Sequence, residues 1–177
     1  MSSKLVISAI GPDRVGLVKS ISAFIVERNA NIEDSKMAVF CGEFAIIMLV
    51  GGQEADLTAI EHSQSQLAEQ TGLNIFMRRP SEVKPAESGV PYTLVASSID
   101  HPGIVHRLTS ELSASGINIE SMETKTYSAP WSGTPMFRFE AKLSIPQQVN
   151  VPRLRSHFLS LGEEENFDID LTVVSSQ

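Results

Sequence analysis

Hydrophobic and polar residues follow the same order twice along the chain. In the first half, residues 4–10 alternate as a strand does, and the apolar positions within 17–28 recur with the 3.6-residue period of an amphipathic helix. The later runs of this half predict a hairpin, a second helix and a last strand, over residues 32–41, 44–50, 54–71 and 73–79. The pattern predicts a β-α-β-β-α-β unit.

Up to the start of the second strand, the second half repeats the first half at a constant offset of 87 residues. The matching pairs are Asp13 with Asp100, Gly16 with Gly103, and Asn31 with Asn118. A period of this length is too long for a solenoid repeat, so it indicates two small domains in tandem. We assign residues 1–80 to domain 1 and residues 91–177 to domain 2. Residues 81–90 are polar, lack a hydrophobic period and are assigned as a linker.

The second copy differs from the first mainly in its hairpin. Its runs predict strands and helices over residues 92–99, 150–161 and 167–174, and a long hairpin loop over residues 129–135. The loop contains the only tryptophan, Trp131. We expect Trp131 to pack across the base of the loop, with a partner contact or a lid as the alternative.

The element order determines the predicted fold class. A split βαβ order places two helices on one face of a four-stranded antiparallel sheet. We therefore predict an α+β protein with two ferredoxin-like domains in tandem. Domains of about 80 residues have thin cores, and the sequence offers no cover for the other face or the edges of each sheet. The domains are expected to bury surface against each other or against a second chain, and a homodimer is the expected homo-oligomer.

Charge and composition exclude several classes of function. The chain has a net charge of −7, and neither side of Pro80 is basic, with 7 basic and 9 acidic residues before the division and 7 and 12 after it. A nucleic-acid-binding face is usually basic, so direct DNA binding is not expected. The lone cysteine, Cys41, indicates a reducing compartment and is expected to be a buried or half-buried structural thiol. No apolar stretch suits a signal peptide or a membrane span, so we expect a cytoplasmic protein without a membrane partner.

The junction between the first strand and the first helix of each copy carries the candidate chemistry. A helix N-terminus offers backbone N–H groups and a favourable dipole, and the glycine of each junction allows a close approach to the backbone. These donors make each junction a natural seat for a small anion. Structural roles remain open, because Asp13 and Asp100 also fit helix N-caps, and Asn31 and Asn118 fit turns that leave the helix.

The sequence lacks motifs for catalysis or metal binding. There is no G-x-S-x-G elbow, P-loop or Rossmann fingerprint, and His101 and His106 are five residues apart, which does not suit a zinc pair on one helix face. Acylphosphatase shares the element order and would need an Arg after the first strand. Arg14 stands in roughly that place, but its counterpart in the second copy is His101. We therefore expect that the protein is not an enzyme and binds neither a metal nor a cofactor.

These motifs resemble those of the ACT domain, a small-molecule-binding regulatory module of amino-acid metabolism. The similarity covers nearly the whole chain, twice, and is most specific in the Asp-x-x-Gly of the first turn and the Asn-Ile that starts the second strand. The second copy also has the family's Pro before the Gly, at Pro102, where the first copy has Val15. Two such domains without a catalytic domain are similar to the glycine cleavage system transcriptional repressor group.

The resemblance implies a ligand and a role. A small amino acid, such as glycine or serine, is expected to bind near the turn Gly and the second-strand Asn. The implied ligand-binding residues are Asp13, Gly16, Asn31, Asp100, Gly103 and Asn118. The implied role is regulation of amino-acid metabolism genes through a protein partner, such as a transcription factor. The alternative is a ligand-free protein–protein interaction scaffold built on the same sheets.

Overall fold

The structure of the protein, a computed structural model, describes residues 3–80 and 89–174. The chain divides into two compact units, Met1–Val83 and Lys84–Gln177. Most of the proposed linker, residues 81–88, lies outside the described residues, so the linker stays a prediction. Within the described ranges, every helix is too short or too polar to cross a membrane.

Domain 1 is built from one antiparallel sheet and three helices. The elements are β1 (Ser3–Pro12), α1 (Leu17–Val26), β2 (Asn31–Phe40), β3 (Glu43–Gly52), α2 (Glu54–His62), α3 (Gln64–Thr71) and β4 (Asn74–Arg78). The strand order is β2-β3-β1-β4, so β1 and β3 are the central strands. This order is the one expected of a ferredoxin-like domain.

The core of domain 1 lies between the helices and one face of the sheet. Along β1, Leu5, Ile7 and Ala9 are buried and alternate with more exposed residues. They pack in one cluster with buried residues of all three helices, such as Ile21 and Leu57. The apolar residues that alternate along the strands and those that recur with the helical period in α1 therefore pack in the same core, as the sequence pattern predicts.

The predicted helix over residues 54–71 is wrong in one respect, because it is broken into α2 and α3 at Ser63. The Ser63 hydroxyl donates a hydrogen bond to the Ala59 carbonyl oxygen at 2.8 Å. A serine that bonds back to the preceding turn competes with the helical backbone and commonly bends it. The bend keeps Leu57 of α2 and Leu67 of α3 fully buried.

Domain 2 repeats this architecture. Its elements are β5 (Val90–Ile99), α4 (Ile104–Ala114), β6 (Asn118–Ser128), β7 (Pro135–Ile145), α5 (Val151–Glu165) and β8 (Asp168–Val173). The strand order is β6-β7-β5-β8, and all neighbouring pairs are antiparallel. The predicted α+β fold of two ferredoxin-like domains in tandem is confirmed.

Helix α5 is longer than predicted, because Gly162 does not end it. A Cβ at Gly162 would lie 2.6 Å from the Phe167 carbonyl oxygen, so this glycine allows close packing inside the helix. The left-handed residue that ends α5 is Asn166, with φ 56°. Asn29 and Gly116, which follow α1 and α4 at matching positions of the repeat, are also left-handed, with φ 56° and 67°.

Two expectations about hairpin loops are wrong. The turn between β2 and β3 consists of Cys41 and Gly42, both with positive φ (50° and 83°), so its centre lies one residue before the predicted Gly42-Glu43. As a result, Cys41 is exposed rather than half-buried. Trp131 is also fully exposed, so it does not pack across the base of its loop.

Candidate functional site

The β1–α1 turn of domain 1 is organised by Gly16. Helix α1 begins directly after this residue, whose backbone is left-handed with φ 94° and ψ −2°. The first helical bond in α1 runs from the Ser20 N–H to the Gly16 carbonyl oxygen at 2.9 Å. The N–H groups of residues 17–19 precede that bond, and no side chain caps them. The helix therefore presents open donors at its N-terminus.

Asp13 does not cap the helix, so the N-cap interpretation is wrong. It lies three residues before Gly16, and its backbone N–H donates to the Gly42 carbonyl oxygen at 2.8 Å, which ties the turn to the β2–β3 hairpin. The Asp13 side chain is exposed. Because Gly16 itself redirects the chain into α1, the carboxylate of Asp13 remains available to another group.

A pocket of about 220 Å³ lies at this turn. Its lining comes from the turn itself, from the first turn of α1 and from two strands: Asp13, Arg14, Gly16, Leu17, Val18, Lys19, Met37 and Phe44. Phe44 of β3 is buried and forms part of the apolar wall, whereas Met37 of β2 is half exposed. The pocket thus combines one carboxylate, one free ammonium, open backbone donors and an apolar wall.

Arg14 lines the pocket, but its guanidinium is hydrogen-bonded to the end of α3. Its guanidinium donates to the carbonyl oxygens of Gln70 and Thr71, at 3.1 and 2.9 Å, and so satisfies the C-terminal end of α3. An acylphosphatase would need this guanidinium to face a phosphate. The structure instead gives it a structural partner.

Lys19 and Met37 are pocket residues that our sequence interpretation missed. Lys19 carries a weak signal, because a cation in the first turn of a helix opposes the helix dipole and lacks a structural reason to be there. Met37 carries none, since an apolar residue on an edge strand is ordinary. Its contribution depends on the tertiary proximity of β2 to the start of α1.

Asn31 lies far from this pocket. It pairs with Gly51 on β3, whereas the turn lies next to Glu43, which pairs with Pro12. Gly51 and Glu43 are eight residues apart, and a strand rises about 3.4 Å per residue, so about 27 Å separates the two ends. Within one domain, Asp13 and Gly16 come together, and Asn31 does not join them.

Domain 2 has the same turn backbone with different side chains. Gly103 precedes α4 with φ 100°, and the Asp100 N–H donates to the Pro135 carbonyl oxygen at 2.9 Å. His101, the counterpart of Arg14, stacks on the Phe167 ring with the centroids 6.0 Å apart. Asn118 again pairs at the far end of its sheet, with Ser144. The two turns therefore share their backbone but not their chemistry.

A metal centre finds no support at either turn. Among residues 3–80 and 89–174, no group of three or more His, Cys, Asp and Glu side chains is placed to hold a metal ion. His106 is exposed at the start of α4 and does not meet His101 in such a group. The donors at the turns suit an organic anion or zwitterion better than a cation.

Comparisons with known proteins match this architecture. Residues 3–78 match the family model of the ACT domain. The glycine cleavage system transcriptional repressor of Escherichia coli (strain K12) is 28% identical over 175 residues, which cover 97% of this chain and 90% of the relative. A UPF0237 protein of Methanopyrus kandleri is 35% identical over 78 residues, 43% of this chain and 87% of the relative.

A solved structure extends the likeness to both domains. The crystal structure of an unknown protein from Galdieria sulphuraria is 32% identical, covers 99% of this chain and 100% of its own, and has a TM-score of 0.82. The Escherichia coli relative is a transcriptional repressor, and its similarity together with the ACT-domain match supports a ligand-binding regulatory role. The chain belongs to the ACT-domain family, as a tandem ACT-domain protein that resembles the glycine cleavage system transcriptional repressor group.

Proposed function

We propose that the chain is an amino-acid-responsive regulator in which domain 1 binds a small free α-amino acid at its β1–α1 turn. The observation that carries the proposal is the pocket beside Gly16, where groups of both charges meet open backbone donors. A free amino acid carries a carboxylate and an ammonium on one carbon. Few other small metabolites need both kinds of partner within so small a space.

The ligand carboxylate lies over the N-terminus of α1 in this proposal. The N–H groups of residues 17–19 and the helix dipole favour an anion there, and the Lys19 ammonium adds a charge partner. The Asp13 carboxylate accepts from the ligand ammonium. The ligand side chain then faces the apolar wall at Phe44.

The dimensions of the pocket favour a small ligand. Drug-sized molecules occupy pockets of about 300–1,000 Å³, and this pocket has about 220 Å³. Glycine and serine are the smallest polar candidates, and a large aromatic side chain would have to extend into solvent past Met37. We therefore expect small side chains to bind best.

The remaining candidate residues enter the proposal in two ways. Asp100 and Gly103 form the equivalent turn in domain 2, with His101 in place of Arg14, and they would take a related ligand. Asn31 and Asn118 lie about 27 Å from the turns of their own domains, by the strand rise. They contribute only if a second copy of the chain brings an Asn next to a turn.

The response reaches transcription through a protein partner rather than through DNA in this proposal. Both parts of the chain are acidic, and the net charge is −7. Such a surface repels phosphate backbones, whereas a transcription factor with a basic or apolar face can dock on it. The Escherichia coli repressor, similar over 97% of this chain, supports a role at this level.

The proposal is tested by calorimetry of the full chain against each of the twenty amino acids, with thermal unfolding in parallel. A ligand at about 100 times its Kd stabilises the native state by about 2.7 kcal/mol, which raises the Tm of a small domain by about 10 °C or more. Asp13→Asn should weaken binding about 10- to 100-fold, because a charged hydrogen-bond partner is lost.

Two further variants make the test specific. Asp100→Asn applies the same change to domain 2, and Glu69→Gln removes an exposed carboxylate of α3 that lies outside the pocket lining. We expect Glu69→Gln to bind as the wild type does. Absence of binding to every amino acid at millimolar concentration, or full binding by Asp13→Asn and Asp100→Asn, would contradict the proposal.

A ligand-free interaction scaffold is the second candidate. It is favoured by the exposed Ile47 and Phe76 on the sheet face of domain 1 that lies opposite the helices. The scaffold predicts that association of the chain is unchanged by any amino acid and by Asp13→Asn. An amino-acid-dependent change in the sedimentation of the wild type, absent in Asp13→Asn, would decide against it.

A further inference from the structure

The sheet of domain 1 has an outer face, on the side opposite α1, α2 and α3, that is apolar at its centre. Ile10 of β1 and Ile47 of β3 are 54% and 51% exposed, and Phe76 of β4 is 64% exposed. Half-buried Val6 and Leu49 form the next cross-strand row of the central strands, on the side of Ile47 away from Ile10. Exposure of such an apolar surface to water is unfavourable, and contiguous apolar patches commonly mark interaction sites.

The fold itself does not require this apolar character. Ile10 pairs with Ala45 on β3, and its counterpart in domain 2, Ser97, pairs with Arg138 on β7. The same register places Arg138, Glu140 and Lys142 in domain 2 where domain 1 has Ala45, Ile47 and Leu49, and all three charged residues are exposed. A charged outer face is therefore compatible with this sheet, and the apolar face of domain 1 needs its own explanation.

One cross-strand row of the outer face has charges of opposite sign at its two ends. The row runs from Arg78 on β4 through Val6 and Leu49 to Asp34 on β2. The basic end lies on one edge strand and the acidic end on the other, and both side chains are exposed. If a second copy is rotated by 180° about an axis parallel to the strands, Arg78 of each copy therefore lies over Asp34 of the other.

The next row fits the same half-turn. It runs from Phe76 on β4 through Ser8 and Ile47 to Lys36 on β2. Rotation about an axis parallel to the strands brings the β4 edge of one copy over the β2 edge of the other. Arg78 then meets Asp34, and Phe76 meets Lys36, whose ammonium and aliphatic stem suit an aromatic ring.

We propose that the outer face of domain 1 is a homodimer interface, in which two copies pack sheet against sheet about a two-fold axis parallel to the strands. Four strands about 4.8 Å apart, which average about eight residues of about 3.4 Å because β4 is shorter than the others, give about 500 Å² per copy and about 1,000 Å² in total. Specific interfaces begin near that total, so the dimer forms by a small but sufficient contact. This proposal does not depend on amino-acid binding.

The test measures the mass of the full chain by sedimentation equilibrium across the micromolar range. The wild type should dimerise, and Ile47→Glu should raise the dimer dissociation constant at least about 100-fold. The two-fold symmetry places the new carboxylate of each copy in the same interface, where both are buried without a partner. Leu159→Glu is the matched control: Leu159 of α5 is 63% exposed but lies in domain 2, so this variant should dimerise normally. Urea unfolding confirms that each variant is folded.

A charge exchange tests the orientation of the two copies. Asp34→Arg and Arg78→Asp should each weaken the dimer, because each places like charges together twice across the axis. The double variant should restore it. A monomeric wild type, or an unchanged dissociation constant in Ile47→Glu, would overturn the proposal, and failure of the double variant to restore the dimer would overturn the two-fold arrangement.

Discussion

Gly16→Ala tests whether the left-handed backbone before α1 explains the glycine in the turn. Gly16 has φ 94° and ψ −2°, a conformation that L-residues avoid. A Cβ built there meets nothing within 4 Å. The substitution therefore adds backbone strain without a steric clash, and its cost comes from that strain alone.

The magnitude follows from two opposing terms. A left-handed conformation costs an L-residue about 1–2 kcal/mol in the folded state. Alanine also lowers the conformational entropy of the unfolded chain, which stabilises the folded state by about 0.4–1 kcal/mol. The net loss in the free energy of unfolding of domain 1 is then about 1 kcal/mol, and for a domain of this size its Tm falls by about 4–8 °C.

Hydrogen exchange measured by mass spectrometry, resolved by domain, separates this loss from any change in domain 2. Gly103→Ala provides the matched change in domain 2, where φ is 100° and a Cβ again meets nothing. Gly16→Asn should cost less than Gly16→Ala, because asparagine tolerates this conformation better. Equal stability of the wild type and Gly16→Ala, or a larger loss for Asn than for Ala, would refute the reasoning.

Three other substitutions test the packing of each domain by urea unfolding. Phe44→Ala removes a ring that is 1% exposed, so it should cost about 3–5 kcal/mol; a loss below about 1 kcal/mol would show that the ring is not part of the core. Glu111→Ala removes the partner of Arg107 (2.8 Å) and His157 (2.6 Å) and should cost about 1 kcal/mol, since both partners are partly exposed. If the losses in the free energy of unfolding for Glu111→Ala and His157→Ala add up in the double variant, the two side chains do not stabilise each other. Trp131→Ala should change stability by less than about 0.5 kcal/mol, and a larger loss would mean that the exposed ring is covered in solution.

The fold was predictable because its signals are local and repeated. Strand alternation, helical periodicity and the left-handed residues Asn29 and Gly116 each depend on a few neighbouring residues, and the repeated domain supplies these observations twice. The errors lie where one residue type is compatible with more than one local structure. The helix break at Ser63 and the close packing of Gly162 on Phe167 have no local signal that distinguishes them from an ordinary helix residue and a helix end.

The candidate site was predictable only in part, and the reason is topological. The turn residues Asp13 and Gly16 are close in the chain, so their proximity follows from the sequence. Asn31 starts a strand parallel to β1, and parallel strands begin at the same end of a sheet. The predicted element order already places Asn31 beside the start of β1 rather than beside the turn at its end.

The two domains show what the shared fold constrains and what it leaves free. Phe24 of α1 is 2% exposed, and its counterpart Glu111 in α4 has a side chain that is only 16% exposed. A carboxylate at such a place is costly unless it is paired, and Arg107 and His157 supply the partners. The helix layer of domain 2 has thus exchanged an apolar contact for an ionic one, as its outer sheet face has exchanged apolar residues for charged ones. Because both exchanges leave the strand order and the turn backbone unchanged, the fold does not select them. The apolar outer face and the pocket with both charges lie in domain 1, so variants of domain 1 are the ones that separate ligand binding from self-association.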